Sequence, residues 1–403
     1  MIAADRPVQR SIGSKLLHLD AAGRIQSVPR SSLIELLRPG DVVIANDAAT
    51  LPASLRGVHL PTGIEVEVRL AARASLAPDD VSRFNAVVFG AGDHRTRTED
   101  RTLPPPLAPG QRLRLGSLTA VIEELLGHPR LVALRFENST AEVWAALASH
   151  GRPIQYAHMP QSLQLWDVWT PIAALPVAYE PPSAGFALDW RLLAAFAAKG
   201  IVFATITHAA GISSTGDPEL DRLLPFDEPY RIPVATEKAL RRACRESRRA
   251  VAIGTTVVRA LEHAAARFGV VLAGDGVADQ RIGAHTSLRV VDAILSGTHE
   301  PGTSHYDLLH AFAGAPLLRR ADRALDAGGF RTHEFGDSVL IERASEKYSS
   351  ETRRCEADVI FSANARTGGA GRSPYTSRFL RAAHVVQEPG RVSPAGRMVG
   401  CSC

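Results

Sequence analysis

From about Gly57 to His150 the chain carries only short apolar or alternating runs, IEVEVRLAA, NAVVFGAG, RLRLGSLTAVIEEL and RLVALRFE, separated by Pro, Gly and Asp. Strands of that length and spacing predict a small all-β barrel or sandwich. The texture differs on both sides. RPGDVVIAND reads as a turn feeding a buried strand, and after Gly151 helical and strand patterns alternate: WRLLAAFAAKG then IVFATITHAAG, ATEKALRRACRESRR then AVAIG, and TTVVRALEHAAARFG after that. PLLRRADRALDAG and DSVLIER extend the alternation. Helices interleaved with apolar strands predict a mostly parallel or mixed sheet covered on both faces. The expected fold class is therefore α/β, a mixed-sheet main domain from residues 1–56 and 151–343, interrupted by an all-β barrel domain at 57–150.

Length agrees with that division, since 403 residues exceed the usual single-domain size. Beyond about Ala344 the chain turns rich in Gly, Ser, Arg and Pro, and 344–403 is expected to be a disordered basic tail. That tail holds nine Lys+Arg against five Asp+Glu, which accounts for the whole formal charge of +4. The rest of the chain is neutral, so overall charge alone gives no argument for nucleic-acid binding. No apolar run reaches the roughly 18–20 residues of a membrane span, and MIAADRPVQR lacks a signal-peptide core. The expectation is a cytoplasmic, monomeric protein without membrane contact. The four cysteines form no C-x-x-C pair and no His-x-x-x-His accompanies them, so no metal is expected.

Four apolar strands run into small polar clusters: VVIA into Asn46-Asp47, IVFATIT into His208, AVAI into Gly254-Thr255-Thr256, and VVDAIL into Ser296 through Ser304. Ligands of open α/β sheets bind beyond the carboxyl ends of the strands, where such clusters converge. A Gly-Thr-Thr opening a helix offers backbone N–H groups without intrahelical partners to an anion, and a well-capped helix is the plainer reading of the same residues. His208 and His299 each follow a strand among small residues and suit proton transfer, or a structural bond to a backbone carbonyl. Arg259, one turn into the helix, suits a carboxylate or phosphate, or solvent. Ser183-Ala184-Gly185 forms a tight loop that either exposes a hydroxyl and an amide or simply turns the chain.

AIGTTVVRALEHAA (252–265), VVDAILSGTHEPGTSHYDLLHAFAG (290–314), FGDSVLI (335–341), RPGDVVIAND (38–47) with LPASLRG, and PSAGFAL (182–188) keep their order across residues 31–343. In these blocks the chain resembles the S-adenosylmethionine:tRNA ribosyltransferase-isomerases of queuosine biosynthesis. The resemblance implies an α/β domain interrupted by a β-barrel. It also implies transfer of the ribosyl moiety of S-adenosylmethionine to a 7-aminomethyl-7-deazaguanine in tRNA, giving epoxyqueuosine and releasing adenine and methionine. S-adenosylmethionine is then a consumed co-substrate, tRNA the partner, and no metal is needed. His208, His299 and Glu228 are the implied catalytic groups. Gly254, Thr255, Thr256 and Arg259 are the implied cradle, with Asn46, Asp47, Ser183, Gly185, Pro301, Thr303 and Asp337 as further binding positions.

The chain also departs from the family's pattern. Where the family has Asn-Asp/Asn-Thr-Arg-Val, it reads Asn46-Asp47-Ala48-Ala49-Thr50, without the Arg. Pro-Thr-Ala-Gly-Leu-His-Phe becomes Pro182 through Leu188, with Ala187 at the His position, and His-x-Glu keeps Glu228 with Phe226 in place of His. Asn-Phe-His-Leu-Pro becomes Gly297 through Pro301, which keeps His299 and adds Glu300. A paralogue with a non-tRNA acceptor and a binding module without turnover are the alternatives these departures leave open.

Overall fold

The structure, a computed structural model, describes residues 1–9 and 13–344. The basic tail expected from the sequence lies outside the described residues. Among them, nine strands form one mixed sheet, in the order Gly274–Ala278, Glu228–Ile232, Val202–His208, Val42–Asn46, Ala250–Ile253, Ala293–Gly297, Ser338–Glu342, Lys15–Leu19 and Ile25–Pro29. The four from Val202–His208 to Ala293–Gly297 are mutually parallel, so their carboxyl ends share one edge.

Side-chain alternation explains why the central strands read as unbroken apolar runs. Val42 and Ile44 pack, with Ala252 and Ile294, against Val257, Val258 and Leu261 of the helix Thr255–Phe268. Val43 and Ala45 point to the opposite face, with Val251, Ile253 and Leu295, where Phe196 of the helix Trp190–Ala198 covers them. A strand buried on both faces cannot alternate apolar with polar. The Trp190–Ala198 helix starts at Asp189, whose carboxylate accepts from the amide of Leu192 at 2.7 Å, and stops before Gly200 at φ +72°.

The second unit of architecture is a closed antiparallel barrel of six strands, Ser54–His59, Ile64–Ala72, Arg83–Gly90, Arg112–Leu115, Leu118–His128 and Leu131–Phe136. Closure leaves no strand edge unpaired. The fold class thus matches the expectation, α/β with a mixed sheet and a small all-β barrel. Two features go beyond it. A helix, Thr140–His150, follows the last barrel strand and buries Val143, Ala146 and Leu147 in the barrel's core cluster. Its start is a reciprocal cap, in which Ser139 and Glu142 each accept from the other's backbone amide. The hairpin Lys15–Leu19 and Ile25–Pro29 also widens the sheet beyond the single strand expected before residue 57.

The chain returns from the barrel beside the strand it left. Ala49–Thr50, just past Asn46, pairs in parallel with Pro176–Ala178. That short ladder carries Tyr179, Glu180 and the Ser183–Ala187 turn to the carboxyl edge of the main sheet.

Candidate functional site

A cavity of about 560 Å³ opens at that edge. Its floor comes from Gly254–Thr256 and Ser296–Glu300, and its far wall from Tyr156, Glu180 and the turn residues Thr332–Glu334. The residues after the Val202–His208 strand, Ala210–Ser214, close one side, and Arg97–Glu99 of the barrel segment reach the rim.

The floor is a helix N-terminus. Gly254 is the N-cap of Thr255–Phe268, sits at φ +95°, and supplies no side chain to cap the first turn. Its own amide donates to the carbonyl of Leu295 at 2.8 Å, which ties the turn to the neighbouring strand. The first-turn amides of such a helix are directed toward an anion. A Cβ at residue 254 would lie 3.4 Å from Cβ of Ala184 on the facing turn, at a φ that side chains rarely adopt. We therefore expect Gly254→Ala to cost about 1–3 kcal/mol, read as a fall in the urea midpoint.

Two imidazoles stand beside this floor. His299 Nε2 lies 2.9 Å from Ser296 Oγ, and His305 Nδ1 lies 3.0 Å from Thr255 Oγ1. The rings stack on each other at 4.9 Å between centroids and 19° between planes. Burial, and then the charge of His305 and His333, hold His299 well below the ordinary histidine range. Burial and the nearby Arg259 push His305 down to about 4. Both rings are neutral at neutral pH and available as proton acceptors or as single-proton donors.

Glu228 and Arg259 occupy the cavity side together. The Glu228 carboxylate accepts from the amide of Gly211 at 2.6 Å and pairs with the Arg259 guanidinium. Burial raises the Glu228 carboxyl even with Arg259 opposing it. Arg259 also donates to the carbonyls of Ala278 at 2.9 Å and Phe226 at 3.3 Å, so most of its fork is spent within the protein. His208 lies behind this pair, fully buried and outside the cavity lining, with neither ring nitrogen hydrogen-bonded and Nε2 3.4 Å from Glu228. Burial, then Arg259, drives its pKa far down.

The far wall is the part sequence reasoning missed. Tyr156 Oη hydrogen-bonds the Glu180 carboxylate and lies 3.0 Å from the carbonyl of Ser214. Burial pushes Glu180 up to about 7, against hydrogen bonds from Tyr156 and Ser213, with Glu334 adding repulsion. Beside it, His158 Nε2 sits 3.1 Å from Glu334, and the His158 and His333 rings stack at 4.1 Å and 13°. Although burial opposes ionisation of Glu334, the His158 bond holds it below the usual range. His333 adopts φ +69°, the left-handed conformation a side chain rarely takes. These groups come from three loops far apart in sequence, none with a motif of its own.

The other predicted positions divide by geometry. Ser183 and Thr303 line the cavity, the latter also capping the helix Ser304–Leu309 through the amide of Tyr306 at 3.2 Å. Thr256 lines it too, accepting from Asn46 Nδ2 at 3.4 Å. Asn46 itself does not line it. Its amide is spent on the strand end, accepting from and donating to the backbone of His208 at 3.0 and 2.9 Å. Asp47 accepts from Thr207 Oγ1 at 2.6 Å. Asp337 accepts the amides of Lys15 at 2.7 Å and Arg331 at 2.8 Å, which fixes the approach to the last strand. Gly185 is buried against Thr170, where a Cβ would come within 2.9 Å of Cγ2, and Pro301 is exposed outside the cavity. Among the described residues no group of three His, Cys, Asp or Glu is placed to hold a metal ion.

Residues 1–341 match the family described as queuosine biosynthesis protein. The chain is 32% identical over 366 residues to the S-adenosylmethionine:tRNA ribosyltransferase-isomerase of Sorangium cellulosum, covering 84% of this chain and 95% of that one. Against the protein of the same name from Thermus thermophilus it is 32% identical over 324 residues, 79% of this chain and 87% of the relative. A crystal structure of S-adenosylmethionine tRNA ribosyltransferase from Thermotoga maritima aligns with 84% of this chain and 96% of that chain, at 23% identity and a TM-score of 0.45. The family match spans nearly all the described residues and the relatives are covered almost end to end, so the chain belongs to the queuosine biosynthesis protein family.

Proposed function

We propose that this chain is an S-adenosylmethionine-dependent tRNA ribosyltransferase-isomerase. It moves the ribosyl moiety of S-adenosylmethionine onto a 7-aminomethyl-7-deazaguanine in tRNA and releases adenine and methionine. The observation that carries this reading is the floor of the cavity, where an uncapped helix N-terminus stands beside two neutral imidazoles. A helix N-terminus suits the methionine carboxylate, and a neutral imidazole suits removal of a proton next to a sulfonium. His299 is the proton-transfer group, Gly254, Thr255 and Thr256 the carboxylate cradle, and Ser183 and Thr303 flanking donors. Glu228 and Arg259 act as a pair that fixes the cavity side. His208, Asn46, Asp47, Gly185 and Asp337 support from behind, and Pro301 shapes the loop after His299.

On this reading the barrel is a domain inserted at about residues 57–150, its first strand Ser54–His59 starting just before that bound, between the flanking parts of the main domain up to 56 and from 151 to 343. The protein acts as a monomer in the cytoplasm, without a metal, and consumes its co-substrate. No helix among the described residues is long and apolar enough to cross a membrane. Calorimetric titration with S-adenosylmethionine tests the pocket assignment. We expect saturation at one molecule per chain, and absence of any heat with or without tRNA would remove the ligand from this cavity.

A further inference from the structure

The carboxylates that line the cavity differ in what they are bonded to. Glu228 is paired with Arg259, Glu334 is bonded to His158, and Glu99 and Glu300 are exposed to water. Glu180 is buried, at 9% exposure, and among the described residues forms no ion pair. Its hydrogen-bond donors are hydroxyls and an amide, from Tyr156 and Ser213. Arg69, which acts on it electrostatically, is bonded instead to Glu67 at 2.8 Å, a carboxylate it shares with Arg101. A buried carboxylate held by hydrogen bonds but without a direct ion pair, facing an open cavity, favours the arrival of a cationic group.

We propose that Glu180 is a catalytic base that takes a proton from the primary alkylammonium of the acceptor. The inference rests on the function proposed above, whose acceptor is an aminomethyl group. An alkylammonium is not a nucleophile, because its nitrogen has no lone pair. The step is R–CH2–NH3⁺ plus Glu180 carboxylate giving R–CH2–NH2 plus Glu180 carboxylic acid, with no other bond made or broken. The amine then holds the lone pair that attacks the ribosyl carbon. An ordinary carboxylate, near 4.3, is a poor base toward an ammonium near 10. The same burial that leaves Glu180 without a cation raises it to about 7, which closes nearly half that gap. The groups facing it are Tyr156, Ser213 and the Ser214 carbonyl on one side, Glu334 with His158 and His333 on another, and Arg69 from the barrel.

The test is adenine release by the full chain with S-adenosylmethionine and precursor-bearing tRNA, from pH 6 to 9. The unaltered protein should gain turnover through about pH 7 as Glu180 ionises. Glu180→Gln should lower turnover at pH 7 by about 10²–10⁴-fold. That deficit should shrink by about tenfold per pH unit toward pH 9, as water deprotonates the amine instead. Tyr156→Phe, which removes a bond that favours the ionised carboxylate, should shift the acid limb to higher pH. A Glu180→Gln protein within threefold of the unaltered one, or a deficit constant with pH, overturns the assignment. If the unaltered chain releases no adenine at any pH, the proposed function itself fails.

Discussion

Arg259→Ala is expected to remove about 3–5 kcal/mol of folding stability, because it strands the Glu228 carboxylate in a buried site. Arg259 and Glu228 are 6% exposed each, and loss of the guanidinium also frees the carbonyls of Ala278 and Phe226. The pH dependence gives the diagnosis. Burial already raises Glu228 above its unfolded value of 4.5 with Arg259 present, and removal of the cation raises it further. In the window above 4.5 the folded variant then binds more protons than the unfolded chain, so its stability falls as pH rises. Urea unfolding at pH 5 and pH 8 should show the larger deficit at pH 8. A second change, Glu228→Gln, should recover part of the loss, since it removes the stranded charge. Equal deficits at both pH values would mean that lost packing, not the carboxylate, sets the cost.

His299→Ala is expected to lower turnover by about 10²–10⁴-fold, the usual contribution of one positioned proton-transfer group. The ring faces the cavity, is held by Ser296 Oγ at 2.9 Å and stacks on His305. Binding of S-adenosylmethionine should change little, because the proposed cradle at Gly254–Thr256 is untouched. His208→Phe is the matched control: His208 makes no hydrogen bond through its ring and does not line the cavity, so turnover should stay within a few-fold. The neutral histidines also predict acid lability. His305 is depressed to about 4, so the folded state binds fewer protons than the unfolded chain between that value and 6.5. Stability is then full above 6.5 and is lost as pH falls through that window.

The floor of the site was legible in the sequence because its grammar is local. An apolar run buried on both faces, then Gly-Thr-Thr, then a helix announces both the strand end and the exposed first turn, and Gly254 takes the positive φ that the junction requires. His299 was legible for the same reason, two residues past a strand end. Polarity alone did not reveal direction. Asn46 and Asp337 are as polar as any ligand-binding residue, but their close hydrogen bonds go to backbone groups. The far wall was not legible, because Tyr156, Glu180 and Glu334 meet only once the barrel connection returns along Ala49–Thr50. The departures from the family pattern divide: Ala48, Ala49, Ala187 and Phe226 are absent from the cavity lining, whereas Gly297, Thr298 and Glu300 are part of it.

The most direct measurement is product stoichiometry. Purified protein is incubated with S-adenosylmethionine and tRNA carrying the aminomethyl-deazaguanine, and adenine, methionine and the modified nucleoside are quantified together. All three are expected in equal amounts, and none when that tRNA is omitted. S-adenosylmethionine bound but unconsumed in the presence of the tRNA would contradict the proposed function.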